Sequence, residues 1–252
     1  MANYENQPAR YGASAAGAVG AIDEGLRAYM LRVYNYMAIG LGLTGVAAYL
    51  TYSLSFQDVG GQLVPTALGQ TLFGGPLVWV IIFAPLALVF FLSFRIQTMS
   101  VGAAQTTFWV YASLVGVSLA TIFVVYTAES ITQVFFITAA TFGAMSLWGY
   151  TTKRDLTGMG SFLFMGLIGI IIAMLVNLFF QSSALGFAIS VIGVLVFTGL
   201  TAYDTQRIKE IYLVGDGAEV AGKKAIMGAL ALYLDFINLF LMMLRLFGAS
   251  RE

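Results

Sequence analysis

The chain contains neither histidine nor cysteine, and both absences limit its chemistry. Without cysteine there is no thiol nucleophile, no disulfide and no thiolate ligand for a metal ion. Without histidine there is no imidazole ligand and no side chain that ordinarily titrates near neutral pH. Any response of this protein to pH must therefore come from its carboxyl groups.

Charged residues are also scarce. Only 10% of the 252 residues are charged, the formal net charge is zero and 60% of the residues are hydrophobic. This composition lies far from that of a soluble domain and predicts an all-α polytopic membrane protein surrounded by the lipid bilayer. Because no long basic run is present, the sequence indicates no nucleic-acid partner.

Seven apolar segments follow a polar start that is rich in alanine and glycine. Most of them reach the roughly 17 to 25 residues that a membrane-spanning helix needs. They lie at about 29–51, 77–94, 105–126, 131–150, 161–180, 184–211 and 226–247. Residues 1–25 lack the basic start, short apolar core and cleavage site of a secretory signal, so we predict a disordered, uncleaved cytoplasmic tail. Residues 26–252 then form one domain of seven transmembrane helices.

Along the chain, loops that contain basic residues alternate with loops that contain none. The basic residues occur at Arg10, Arg27, Arg32, Arg95, Lys153, Arg154, Arg207, Lys209, Lys223 and Lys224, and the intervening loops contain none. Because cytoplasmic loops are enriched in lysine and arginine, the N-terminus is expected in the cytoplasm. Arg245 and Arg251 then lie on the opposite side, against the rule. Either packing holds the last helix there, or that helix re-enters the membrane instead of crossing it.

Two acidic residues lie inside segments that should be in lipid: Asp204 in the sixth and Asp235 in the seventh. A carboxylate at mid-helix costs roughly 2.5 to 3.5 kcal/mol to insert, so such residues mark functional positions unless each one merely satisfies a neighbouring arginine or backbone group. Counted from the same side of the membrane, Asp235 lies about 14 Å deep and Asp204 about 10 Å deep. We therefore expect the two carboxyl groups to meet in the cytoplasmic half of the bundle.

Polar residues at helical spacing accompany each acid. Thr198, Thr201 and Thr205 share a face with Asp204. On the seventh segment, Asn238, Met242 and Arg245 share a face with Asp235. Both faces are predicted to point into the bundle. Thr198, Thr201 and Asn238 are therefore candidates for lining a pore.

A contact between the two acids would make them sensitive to pH. Two unit charges about 4 Å apart repel by about 4 kcal/mol at an effective dielectric constant of 20, so both carboxyl groups cannot easily ionise. The pair would share one proton and titrate as a unit near neutral pH. Arg95, which ends the second segment on the same side, would favour ionisation of one partner.

The residues around the acids resemble one protein family. Residues 203–206, Tyr-Asp-Thr-Gln, and residues 231–248, Ala-Leu-Tyr-Leu-Asp-Phe-Ile-Asn-Leu-Phe-Leu-Met-Met-Leu-Arg-Leu-Phe-Gly, look like the signature end of the Bax inhibitor-1 (transmembrane Bax inhibitor motif) family, in its bacterial branch. The resemblance continues at residues 31–44 and 153–162.

This resemblance implies a seven-helix fold with the C-terminal helix at its centre. It also implies a pH-sensitive calcium leak channel of the bacterial inner membrane, gated by an aspartate pair. Asp204 and Asp235 match that pair, and Arg95 matches an arginine that interacts with it.

Calcium is a plausible transported ion because hard divalent cations prefer carboxylate and carbonyl oxygens. Asp204 and Asp235, with a few threonine and asparagine oxygens, provide fewer than the six to eight ligands of a tight site. We therefore expect weak binding that suits passage, and no cofactor. A proton-coupled exchanger uses the same groups and is an alternative within this interpretation.

Two other functional classes compete with the leak. An intramembrane aspartyl protease would share Tyr203 and Asp204, but such enzymes have a Gly-x-Gly-Asp second motif, whereas Leu-Tyr-Leu precedes Asp235 here. We therefore expect no enzyme. A non-transporting regulator would instead bind other membrane proteins, such as a membrane-bound quality-control protease. Ion flux in liposomes that contain only this protein separates the leak from the regulator.

Overall fold

The computed structural model describes residues 10–251, with side chains from residue 24 onward. In chain order, the elements are α1 (Arg10–Ser55), β1 (Phe56–Val59), β2 (Gln62–Pro65), α2 (Ala67–Phe73), α3 (Leu77–Arg95), α4 (Val101–Leu119), α5 (Ile122–Val125), α6 (Ala128–Thr151), α7 (Thr157–Phe180), α8 (Ser183–Glu210) and α9 (Ala218–Phe247).

Seven helical stretches in the described residues are long and apolar enough to cross a membrane. They are Glu24–Ser55, Leu77–Arg95, Val101–Val125, Ala128–Thr151, Thr157–Phe180, Ser183–Glu210 and Ala218–Phe247. These stretches confirm the predicted all-α polytopic membrane fold. Polar caps extend several helices beyond the apolar segments: Ser100, Thr127 and Ser182 each accept a hydrogen bond from the backbone N–H three residues later.

The start of α1 differs from the sequence prediction. Residues 10–25 were assigned to a disordered tail, but they form the first turns of α1. This stretch contains several alanines, the strongest helix former, and it continues directly into a membrane-spanning helix, so it needs no separate nucleation. Residues 1–9 of the predicted tail lie outside the described residues.

The connection between α1 and α3 is a β-hairpin followed by the short helix α2. Strands β1 and β2 pair antiparallel, with Val59 opposite Gln62. The two residues of the turn, Gly60 and Gly61, have φ angles of 66° and 86°. Glycine adopts positive φ without steric cost, which is why a two-residue turn forms here.

Helix α9 is the centre of the bundle. It packs against α8, α1, α6 and α4. In its most apolar window 67% of residues are buried, compared with 11% in α3 and in α7. Helices α3 and α7 therefore present most of their surface to lipid, and α9 is the central C-terminal helix that the family resemblance implied.

Helix α9 also runs continuously from one end of the bundle to the other. Near its start, Lys223 Nζ donates to the carbonyl of Gln97, which lies just before α4, at 3.0 Å. Beyond its end, the N–H of Arg251 donates to the carbonyl of Val125, at the far end of α5, at 2.9 Å. Because 97 and 125 flank the same membrane span, α9 crosses the bundle and does not re-enter.

Packing accounts for one of the two basic residues that break the charge rule at this far end. Arg251 Nε donates to the carbonyl of Tyr126 at 3.2 Å. Its guanidinium also lies over the ring of Tyr52, 5.8 Å from the centroid. The last helix therefore crosses the membrane and is held there by packing, which was the first of the two alternatives.

Candidate functional site

The two acids lie on α8 and α9, neighbouring antiparallel helices joined by residues 211–217. Two glycines bring these helices close together on either side of the acids. A Cβ added at Gly193 would press on Met242, and one added at Gly228 would press on Ile208. Because these two contacts set the register, the stretch of α8 that carries Asp204 faces the stretch of α9 that carries Asp235.

The two carboxyl groups lie within hydrogen-bonding reach of each other. Asp235 is only 5% exposed, and Asp204 is half-buried. The Oδ2 atom of Asp235 is buried and has no hydrogen-bond partner among the described residues. A buried carboxylate oxygen without a partner is costly, so this atom is a position for a proton, a water molecule or a cation.

Arg207, and not Arg95, provides the positive charge that acts on this pair. Arg207 lies one turn beyond Asp204 on α8, so its positive charge lies close to that carboxyl group. Arg95 ends α3 with an exposed side chain and forms no ion pair with any side chain that the structure describes. The predicted approach of Arg95 to the acids is therefore not found in this structure. Helix α3 packs chiefly against α4.

The polar residues proposed to line a pore fall into two groups. Thr201 is fully buried and donates its hydroxyl to the carbonyl of Phe197 at 2.8 Å. Thr198 has a buried hydroxyl oxygen without a partner among the described residues. Asn238 donates its amide to the carbonyl of Leu234 at 2.8 Å, which leaves its side-chain oxygen as an acceptor. Thr198 and Asn238 thus each have an oxygen atom that is free to accept a hydrogen bond. That Thr198, Thr201 and Asn238 line a pore stays a prediction.

The predicted polar face of α9 is shorter than the sequence indicated. Met242 is buried against Gly193, in agreement with an inward position. Arg245 was expected to continue this face, but its side chain is exposed. Near the end of α9 the charged group can reach the membrane surface, so the helix does not need to bury it.

Comparison with known proteins identifies the fold that holds this pair. The family described as "Inhibitor of apoptosis-promoting Bax1" matches residues 26–252, which include both acids. The chain belongs to the Bax inhibitor-1 family. An uncharacterized protein of Rickettsia prowazekii is 53% identical over 91% of this chain and 93% of its own length. The inner membrane protein YbhL of Escherichia coli K12 is 48% identical, over 90% and 94%. A membrane protein of Streptococcus pyogenes is 36% identical, over 90% and 95%.

The glutamine of the family-like motif at 203–206 has a structural task. Gln206 donates its amide to the carbonyl of Arg154 at 2.7 Å and accepts from the N–H of Leu156 at 2.8 Å. These two bonds fix the loop between α6 and α7 to the helix that carries Asp204. In this Bax inhibitor-1 family protein, the motif thus combines one acid for the site with one amide that positions its helix.

A chain of hydroxyl groups beside α8 was not anticipated from the sequence. The hydroxyl of Tyr34 lies 2.7 Å from that of Ser146, and Ser146 lies 2.9 Å from the hydroxyl of Thr205. Thr205 donates to the carbonyl of Thr201 at 2.7 Å, so Ser146 must donate to Thr205 and Tyr34 to Ser146. This directed chain connects α1 and α6 to α8. In the sequence, the only indication of this hydroxyl chain is the presence of polar residues within apolar segments.

A second hydrogen-bonded cluster holds the opposite face of α9. The hydroxyl of Tyr233 lies 2.6 Å from that of Thr44, which donates to the carbonyl of Ala112 at 2.8 Å. Both side chains are buried. This cluster connects α9 to α1 and α4, so the central helix is held on one side while Asp235 faces α8 on the other.

Outside the membrane spans, one carboxyl group is clearly perturbed. Hydrogen bonds from the side chain and the N–H of Thr157 hold the pKa of Asp155 below its ordinary value. The N–H contact measures 2.8 Å and lies at the start of α7. Asp155 therefore serves the helix start and is separate from the acid pair.

The described residues place no three acidic side chains at one position. The groups that the structure brings together here are the two carboxyl groups of Asp204 and Asp235. Two carboxyl groups are fewer than the six to eight oxygen ligands of a tight calcium site.

Proposed function

We propose that this Bax inhibitor-1 family protein is a pH-sensitive leak channel for calcium, gated by the pair Asp204 and Asp235. The observation that carries the proposal is the contact between two carboxyl groups on neighbouring central helices, one of which has a buried oxygen without a partner. We place the protein in the bacterial inner membrane, because a relative from Escherichia coli is an inner membrane protein. The alternating basic loops support a cytoplasmic N-terminus.

The proposed gate is electrostatic. One shared proton lets the two acids hydrogen-bond and hold α8 against α9. Loss of that proton leaves two like charges in a poorly solvated place, which favours separation, entry of water or capture of a cation. Protonation also removes the charge that holds a cation or Arg207. The pair therefore makes the leak depend on pH, and the sign of that dependence is read from the flux curve.

Calcium is the proposed ion because every group that the site can offer is an oxygen. The unused oxygens of Thr198 and Asn238 lie on the same two helices as the acids and extend the polar surface toward the middle of the membrane. A cation held by so few ligands is released readily. The same property would serve an exchanger, in which each calcium ion moves against protons.

The experiment is calcium uptake into liposomes that contain only the purified protein, measured across a series of pH values. Asp204→Asn and Asp235→Asn should each flatten the curve of flux against pH, because the pair and not either residue is the titrating unit. Glu129→Gln is the matched control, since Glu129 is an exposed acid in the first turn of α6. That variant should keep the wild-type curve at equal protein incorporation.

Either of two results would contradict this proposal. If both aspartate variants keep the wild-type curve, or if the wild-type protein carries no calcium at any pH, the paired-acid leak is wrong. The protein is then better explained as a non-transporting regulator of membrane proteins or of a membrane-bound protease. We propose no enzymatic activity, and cleavage of a transmembrane peptide by the same preparation would contradict that.

A further inference from the structure

A groove of about 600 Å³ runs along the lipid-facing side of α1 and α6. Its walls are mainly apolar and include Met30, Leu31, Met37, Leu41, Phe142 and Leu147. Three residues with hydroxyl groups also line it: Tyr34 and Ser146 are hydrogen-bonded to each other at 2.7 Å, and Tyr150 lies at one end of the groove. The interior therefore offers a hydrocarbon surface with little unused polarity, which suits an acyl chain.

One end of this groove is basic. Arg27 lines it where α1 enters the membrane, and its side chain is exposed. The α6 wall reaches Tyr150, and the exposed Lys153 and Arg154 follow directly in the chain. The nearest acid in that loop, Asp155, has its carboxylate engaged by the N–H of Thr157. Positive charge therefore lies at the mouth of the groove on α1, and two further basic residues follow the α6 wall in the chain.

The length of the groove fits one leaflet. From Arg27 to Leu41 the α1 wall advances by 14 residues (41 − 27), or about 21 Å at helical rise. Half of the hydrocarbon core of a bilayer is about 15 Å thick. A lipid with its head group beside Arg27 would therefore have its tail within the groove as far as the middle of the membrane.

A second groove provides an internal comparison. It has a volume of about 650 Å³, shares Ala38 and Leu41 with the first groove and continues toward the other end of the bundle. None of its lining residues is basic. Two grooves of similar size thus meet near the membrane centre, and only the first has arginine at its mouth.

We propose that the first groove binds one anionic phospholipid, with an acyl chain between α1 and α6 and the phosphate beside Arg27. The second groove takes acyl chains without selecting a head-group charge. This lipid site is separate from the acid pair and does not depend on calcium transport.

Two glycines allow a matched test. A Cβ added at Gly143, which lines the first groove on α6, would meet nothing within 4 Å. The same is true of Gly45, which lines the second groove on α1. Gly143→Leu and Gly45→Leu therefore each place the new Cβ in open space and extend a side chain from the wall of one groove, and both replace glycine by leucine within a helix. Their effects on helix propensity should be alike.

Native mass spectrometry of the full chain in detergent would measure the binding of phosphatidylglycerol and phosphatidylcholine with identical acyl chains. The wild-type protein should retain one phosphatidylglycerol in preference to phosphatidylcholine. Gly143→Leu should lose that retained lipid, and Gly45→Leu should keep it. Arg27→Gln should reduce the preference for phosphatidylglycerol by about fivefold, because one basic residue near a membrane surface contributes about that factor. Arg32→Gln, on the same helix but outside the groove lining, should change it little.

Equal retention of the two lipids by the wild-type protein would overturn the proposal. So would wild-type binding by Gly143→Leu, or an equal loss in both leucine variants. Thermal unfolding of each variant shows whether it is folded. If Gly143→Leu does not fold, Arg27→Gln decides the question, since it changes an exposed side chain and an unchanged lipid preference would contradict the site.

Discussion

Single residues show how differently the polar groups inside this bundle are satisfied. The hydroxyls of Thr201 and Thr205 donate to carbonyls of their own helix. Asp235 has a buried oxygen without such a partner. Threonine can satisfy itself within a helix, whereas a carboxylate has no proton to donate unless it binds one. We therefore assign the proposed response to pH to the acid and not to the polar residues around it.

Arg207 should influence the pH response more than Arg95 does. Removing a nearby positive charge makes a carboxyl pair easier to protonate, so Arg207→Gln should move the midpoint of the flux curve to higher pH. Arg95→Gln is the comparison, because Arg95 forms no ion pair with the described side chains. Calcium flux in liposomes across pH measures both. A larger shift for Arg95→Gln would restore the role that the sequence and the family resemblance assigned to it.

The hydroxyl chain predicts a graded loss of stability. Ser146→Ala breaks two hydrogen bonds and should cost more than Tyr34→Phe, which removes only the outermost donor. Single hydrogen bonds between membrane helices contribute on average about 0.6 kcal/mol, so the loss for Tyr34→Phe should be near that value. Tyr36→Phe is the control, since its bond to Gln105 is long at 3.4 Å. The unfolding midpoints of the variants in one detergent give the order of their stabilities. A loss of stability in Tyr36→Phe as large as that in Ser146→Ala would contradict the prediction.

At the scale of helices, one close approach between α6 and α8 depends on the absence of a side chain. A Cβ added at Gly149 would collide with the backbone of Ala202. Backbone atoms cannot move aside as a flexible side chain can. The contact also lies near Ser146 and Thr205, so the same pair of helices is held by close packing and by the hydroxyl chain.

Gly149→Ala should therefore destabilise the protein by about 1 to 3 kcal/mol, the usual range for overpacking. Gly143→Ala, on the same helix, is the matched control because its added Cβ meets nothing within 4 Å. That variant should be neutral or more stable by up to about 1 kcal/mol, since alanine favours a helix over glycine. Both values come from unfolding in one detergent. Equal effects of the two substitutions would show that α6 and α8 are not this close.

Which helices form was predictable from the sequence, but how they rotate against each other was not. Length and hydropathy define the seven spans directly, and counting residues from each end predicted that Asp204 and Asp235 lie at one depth. That Arg95 is not paired with the acids depends on where α3 packs, and the close contact at Gly149 depends on where two backbones meet. Both are properties of packing between segments far apart in the chain. The helical state of residues 10–25 was missed because their composition was interpreted without the helix that follows.

For the whole molecule, α9 connects the two ends of the bundle and decides its topology. Near its start, Lys223 holds it to residue 97, and the residues after its end pair with residues 125–127. The seven crossings of the described residues put the start of α1 and the end of α9 on opposite sides. The basic loops predict which side is cytoplasmic, because cytoplasmic loops are enriched in lysine and arginine.

Single cysteines can test this topology cleanly, because the chain has none of its own. Gln57→Cys and Ser250→Cys place an exposed thiol at one end of the bundle, and Lys153→Cys places one at the other. In right-side-out membrane vesicles, an impermeant maleimide should label the first two, and it should label Lys153→Cys only after the membrane is opened. Labelling of Ser250→Cys together with Lys153→Cys would mean that α9 does not cross. A complete reversal of the pattern would instead place the N-terminus outside, and the acid pair would then face the opposite compartment.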